Sequence, residues 1–439
     1  MESVNIEKAS IFLSGLKAKI AEIARQTKKV AMDDPRRLIH SLKAGLALTL
    51  VSLFYYFQPL YTSFGVSAMW AVMTVVVVFE FSVGATLGKG LNRGLATLAA
   101  GALGLGANHL ASHDDLAAVA STFIRFFPTV KARYDYGMLI FILTFSLISI
   151  SGLRSDQILE LAHKRLSTVL IGASTCVIIS IFVYPVWAGE DLHKLVAQNL
   201  EKLGGFLEGF GDEYVRTFDQ ESENGRTSSL VGLNSVLDSK SKEETLANFA
   251  RWEPGHGQFM YWHPWKQYLN IANLTRQCAC RVEALNAYLN SKTPASQEIQ
   301  CMIAGMSTES GKALKELSWA ITTMSRPPSP NPHIPNLKIA SKNLNSLLKS
   351  DFCDEHTNLL QVIPVATAAA LLNDTVTSVE NIADAVNELS SLANFKAIDS
   401  SEAESESANR SKIPHVIITV SCAAEVKKEG QSSVQAVQN

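Results

Sequence analysis

Charge is what this chain has least of. Lys, Arg, Asp and Glu make up 18% of its 439 residues, against about a quarter in an ordinary globular domain, so water-covering side chains are short. Cysteine is sparse too. Cys176, Cys278, Cys280, Cys301, Cys353 and Cys422 are the whole set, which excludes a disulfide scaffold. Cys278-Ala-Cys280 lacks the usual zinc spacing, and reduced cysteines are expected. No basic stripe accompanies the net charge of −2, so nucleic acid is not an expected partner. Nucleophile elbow, paired acids and phosphate loop are all missing, which argues against an enzyme. His256 and His263 have no third ligand at sensible spacing, so neither metal nor cofactor is expected. The first 37 residues contain no short apolar core with a cleavage site, so they do not read as a secretory leader.

What the chain does have is long runs without charge. None interrupts Ala44 to Phe79, 36 positions, and further uncharged runs cover Gly94–His113, Tyr136–Leu153 and Leu166–Gly189. A membrane crossing takes about 20 apolar residues. The first run is therefore expected to fold into two spans broken at Gln58–Gly65, giving five clear spans in all. Leu116–Ile124, nine residues between Asp115 and Arg125, is a shortened candidate for another span. The predicted fold is all-α: a polytopic membrane helix bundle over 38–189, with a cytosolic N-terminal helix over 1–37. A cytosolic helical domain is expected over 190–395 and a disordered acidic, serine-rich tail over 396–439. Residues 36–187 carry 11 basic and 6 acidic residues, and the remainder 28 and 35. The positive-inside bias puts both termini in the cytosol. It puts Lys89, Arg93 and Arg125 near that side as well, while Arg154, Lys164 and Arg165 violate the rule on the outer side.

Those cations are the chemistry-bearing residues. Lys89 and Arg93 stand four apart, so one helix face carries both, and Thr97 continues it. Gly90 and Gly94 on the same helix have the small-xxx-small spacing that permits close helix approach. Arg165 precedes the last apolar run and Arg125 lies inside the shortened one. Ionisable groups at membrane depth are costly and mark a pathway or a paired site. Cations outnumber acids here, so complete pairing is impossible, and rings of Arg and Lys favour anions in pores. Lys89, Arg93, Arg165 and Arg125 are accordingly the expected pore-lining set. Glu80 is read as a salt-bridge partner for Lys89 or Arg93. Asp156 and Glu160 are the outward acids available to a hard cation, which prefers oxygen ligands.

The block Trp70-Ala-Val-Met-Thr-Val-Val-Val-Val-Phe-Glu80-Phe-Ser-Val-Gly-Ala-Thr-Leu87, followed by Lys89-Gly-Leu-Asn-Arg93-Gly94, resembles the plant aluminium-activated malate transporter family. Asp34-Pro-Arg-Arg37, Asp135-Tyr-Gly137, Tyr184–His193 and Trp252-Glu-Pro254 extend the likeness over about residues 30 to 395. The resemblance implies an anion channel passing malate and inorganic anions in a plant lipid bilayer, the plasma membrane ahead of the vacuolar one. It implies homodimers of six-span subunits with a cytosolic helical domain, and pore cations at Lys89, Arg93 and Arg165. It also relates Trp187–Asp191 to a region implicated in inhibition by γ-aminobutyrate. The family's fourth helix has a full span before the equivalent of Ser121–Pro128, which is shortened here. A non-conducting regulatory subunit and a proton-coupled organic-anion transporter are the alternatives.

The polar half repeats apolar residues at three- and four-residue spacing from Leu192, and again around Glu243–Phe249, Trp265–Leu289, Gln297–Met324, Ile339–Leu348 and His356–Leu392. Gln220–Ser228 reads as a polar linker, and Arg326–Pro335 as a stiff proline loop.

Overall fold

Asp34 cuts the first two helices apart. Its side chain accepts the Arg36 amide at 3.1 Å while Pro35 occupies the first helical position, a strong N-terminal signal. The computed structural model describes residues 2–58, 65–110, 121–152, 158–216, 223–289, 297–326, 332–351 and 359–397. Its helices are α1 (Glu2–Asp33), α2 (Pro35–Tyr56), α3 (Met69–Val78, entered through a 3-10 turn at Gly65–Ala68), α4 (Val83–Leu110), α5 (Pro128–Gly152), α6 (Ile158–Phe182) and α7 (Ala188–Arg216). They continue as α8 (Glu223–Leu237), α9 (Lys240–Ala250), α10 (Trp265–Leu289), α11 (Gln297–Thr323), α12 (His333–Asp351) and α13 (Leu359–Leu392). No strand occurs among the described residues; an isolated β-bridge joins His256 and Phe259.

Residues 1–395 form one compact unit with two separate apolar cores. The smaller core joins α2, α3 and α6 through Ala47, Val51, Val75, Val78, Cys176 and Ile179. α4 packs along α5 and α6 beside it. The larger core lies wholly beyond residue 190, where α7 and α11 pack along one another and α10 packs on α13. Gly204 and Gly311 make the α7–α11 crossing tight: a Cβ on Gly204 would stand 2.8 Å from the Gly311 carbonyl oxygen.

Among the described residues, Pro35–Phe54 and Ala162–Phe182 are long and apolar enough to cross a membrane, while Met69–Val78 and Tyr134–Ile148 are apolar but shorter. The helix expected after the first break is thus brief: α3 has 10 residues, about 15 Å at 1.5 Å per residue. α4 starts well before the uncharged run at Gly94 and carries Lys89 and Arg93 on one helix, as their spacing implied. Close approach also occurs elsewhere than expected. Gly90 and Gly94 have ordinary side-chain contacts, whereas a Cβ on Gly172 would meet the Ala71 carbonyl oxygen at 2.7 Å and one on Gly84 the Phe249 carbonyl oxygen at 2.2 Å.

Two loop expectations are shortened by helices. α8 begins at Glu223, inside the expected linker, and α12 begins at His333, placing Pro335 in a first turn where its missing N–H costs nothing. Residues 111–120, Asp156 and the tail from 398 lie outside the described residues.

Candidate functional site

α4, α5 and α6 bring two arginines into one buried space. Arg93 on α4 is 4% exposed and Arg165 on α6 is 3% exposed. Arg93 donates through Nη1 to the Tyr136 hydroxyl at 2.9 Å, and Arg165 reaches Thr144 Oγ1 from Nε at 3.4 Å. The Arg165 guanidinium also lies 4.1 Å from the centre of the Trp70 ring on α3, a favourable cation–π contact. The two cations are near enough to repel one another. Among the described residues neither has a carboxylate within ion-pairing distance, and Arg93 Nε, Arg165 Nη1 and Thr97 Oγ1 are buried without a hydrogen-bond partner. Buried charge normally carries its partner with it. Two cations whose acceptors are neutral hydroxyls, each with a guanidinium nitrogen left over, make a site complementary to an anion.

The other expected site residues are distributed around this pair. Lys89 forms an ion pair with Glu80, and its ammonium lies 6.0 Å from the Tyr136 ring, so Lys89 and Arg93 both address Tyr136. Arg125 pairs with Asp135 at 2.9 Å in a partly exposed position. Glu160 is held by Lys164 at 2.6 Å, and Asp156 lies outside the described residues.

Tyr136, Thr144 and Lys43 were not among the expected site residues. Tyr136 was marked only through the Asp135-Tyr-Gly137 likeness and Thr144 looks like an ordinary member of an apolar run; their partnership with the arginines depends on how α5 faces α4 and α6. Lys43, the charge bounding the first uncharged run, is 2% exposed and donates to the Tyr184 carbonyl at 3.2 Å. Its place at the end of an uncharged run was the one available clue.

The junction below the arginines ties the apolar helices to the helical half. Val83 at the start of α4 donates its N–H to the Val186 carbonyl at 2.9 Å. Glu253 accepts from the Ala188 and Gly189 amides at 2.6 and 3.0 Å, capping α7 with a carboxylate. Burial pushes the Glu253 pKa above the usual carboxylate value, with those two amides pulling the other way. Trp252 fills the space a Cβ on Gly88 would need, and Arg36 reaches Asp191 at 3.0 Å. Alongside, Trp187 stacks on His256 at 3.8 Å and lines a cleft of about 460 Å³ with Glu190, His193, Lys194 and Thr322.

The chain resembles known proteins over most of its length. The family described as "Aluminium activated malate transporter" matches residues 28–354. Aluminum-activated malate transporter 2 of Arabidopsis thaliana is 54% identical over 398 residues, covering 86% of this chain and 79% of that protein. Aluminum-activated malate transporter 7 of the same plant is 51% identical over 424 residues, 86% and 84% of the two chains. Aluminum-activated malate transporter 1 of Triticum aestivum is 44% identical over 416 residues, 88% of each. The chain belongs to the aluminium-activated malate transporter family.

Proposed function

We propose that this chain is a multi-pass membrane protein through which malate and inorganic anions pass down their electrochemical gradient in a plant membrane. The observation that carries the reading is the pair Arg93 and Arg165, buried, mutually repelling and without a counter-charge among the described residues. An uncompensated buried charge costs several kcal/mol, and a resident anion offsets that cost. A dicarboxylate suits the arrangement because each carboxylate can engage one guanidinium, and the relatives' names supply malate. Lys89, screened by Glu80, then serves as a weaker station on the approach. Several moderate sites let an ion leave as well as enter.

Residues 38–189 are the conducting region in this reading and 190–395 a cytosolic helical domain, with the tail beyond it. Two copies assemble as a homodimer. Passive conduction is favoured over proton coupling because Glu80, the acid a proton relay would use, is engaged by Lys89.

Voltage clamp of oocytes loaded with malate tests this. A malate-dependent inward current is expected, reversing with the anion gradient and indifferent to the proton gradient. Arg93→Ala or Arg165→Ala should cut it about tenfold or more, since a hydrogen bond to a charged group is worth roughly 1.5–3 kcal/mol. Current of unchanged size and selectivity in both variants would overturn the assignment. Surface expression without current would point to the regulatory-subunit alternative.

A further inference from the structure

The helical half exposes an aromatic loop at one particular end. Phe259, His263 and Trp265 are buried, while between them Met260, Tyr261 and Trp262 are 43%, 67% and 86% exposed. Trp262 has φ 64°, a left-handed conformation that is costly for a bulky side chain. Tyr261 and Trp262 meet edge to face with ring centres 5.3 Å apart. The buried neighbours on either side thus hold three apolar or amphipathic side chains outward.

The position of this loop follows from contacts on three helices. Trp265, at the start of α10, lies against Gly189 at the start of α7. Trp252 lies against Gly88 on α4. The Asn394 amide, just past the end of α13, reaches the Met260 sulfur at 4.0 Å. The starts of α7 and α10 and the end of α13 therefore share one end of the helical half, the end at which the chain leaves α6. Phe182 and Tyr184 are also exposed at that exit. Arg251 and Lys266, both exposed, flank the loop, while the nearby acid Glu388 is engaged by Gln267 at 2.8 Å.

We propose that Met260, Tyr261 and Trp262 form an interfacial anchor that sits in the headgroup zone of the bilayer crossed by the apolar helices. The inference rests on the reading of 38–189 as membrane-spanning. Tyr and Trp concentrate where lipid meets water because one part of each ring system is apolar and another is polar. Cations beside them complement anionic headgroups. Lysine next to the patch counts against a protein partner, since interfaces between proteins are depleted in it. The anchor fixes the distance of the α7–α10 end from the membrane, and with it the loop that carries Trp252 and Glu253 to α4 and α7.

Tryptophan quenching in the full-length protein tests the anchor. The protein is reconstituted into nanodiscs of phosphatidylcholine and phosphatidylserine, with or without bromine high on the acyl chains. The Trp262 signal is the difference between wild type and Trp262→Phe, and the Trp70 signal that between wild type and Trp70→Phe. Brominated lipid is expected to remove about half or more of the Trp262 signal, as befits a side chain at the headgroup–acyl boundary. A quenched Trp70 signal with an unquenched Trp262 signal would overturn the anchor while leaving the spanning region intact. In that case quenching of Trp262 by aqueous acrylamide would show a solvent-facing loop, and protection from it would show cover by a second copy. Failure of both signals to respond to bromine would instead overturn the membrane reading on which the anchor depends.

Discussion

The two halves of this molecule bury charge in opposite ways. In the helical half Glu243 is fully buried, and it accepts from Asn199 at 2.9 Å and Ser239 at 2.8 Å and pairs with Arg276. Each of its oxygens has a partner, so the charge is part of the architecture. In the apolar half Arg93 and Arg165 are buried almost as deeply but face a tyrosine, a threonine and a tryptophan ring. The lesson is that burial does not make a charge structural. The partners decide it, and where they are missing the site is shaped for something brought from outside. Exposure is inverted as well. α2 presents Leu38, Leu42, Leu46 and Leu50 at four-residue spacing outward, whereas α7 turns Leu192, Leu200, Leu203 and Leu207 into a core.

The contrast can be broken by experiment, and the largest effect is expected at Glu243. Replacing it with Ala strands Arg276 and should cost about 3–5 kcal/mol, read as loss of thermal stability in detergent. Arg93→Ala should leave stability unchanged or improve it, because it removes an unmatched charge. Equal destabilisation by both would erase the distinction drawn here. Gly84→Ala comes next. A methyl group there would meet the Phe249 carbonyl oxygen at 2.2 Å, so the helical half must shift from α4 at about 1–3 kcal/mol. Limited proteolysis at the junction would detect the loosening.

Acid provides a third test. Burial lowers the pKa of both His193 and His263 to about 4 from the usual 6.5. The unfolded chain then binds more protons than the folded one between those values, so stability falls as pH drops from 6.5 towards 4. Glu253, with its raised pKa, works in the opposite sense, losing stability as pH rises above 4.5. Melting curves across this range should rise with pH, more steeply in Glu253→Ala and less steeply in His263→Phe. Glu253→Ala should itself cost about 1 kcal/mol as a lost helix cap. The smallest effect belongs to Trp262→Phe, exposed and without a buried partner, expected within about 0.5 kcal/mol of wild type.

Much of this arrangement could be read from residue order. The uncharged runs marked the apolar helices, the Leu192 periodicity marked α7, and Lys89 with Arg93 fell four apart on one face. Asp34-Pro-Arg-Arg37 entered only through the family likeness, and the structure shows its first two residues starting α2. Helix ends were harder to read. α8 and α12 start inside stretches rich in polar residues or proline, because packing against neighbours outweighs weak local preference. The span lengths departed for a related reason: α3 stops at Val78 and α4 starts at Val83, with the docking of Glu253 and Trp252 around Gly84 and Gly88 fixing the turn between them.

Sequence alone determined the family, the helical class and which cations would be expensive to bury, since hydropathy, periodicity and charge count are local properties. Tertiary structure alone decided which of those cations are matched. Lys89 found Glu80 nine residues away, and Arg125 found Asp135 ten away, while Arg93 and Arg165, separated by 72 positions, found hydroxyls and an aromatic ring. Whether a charge is paired depends on side chains brought within a few ångströms by helix packing. Spacing along the chain limits such meetings only within a turn or two of helix.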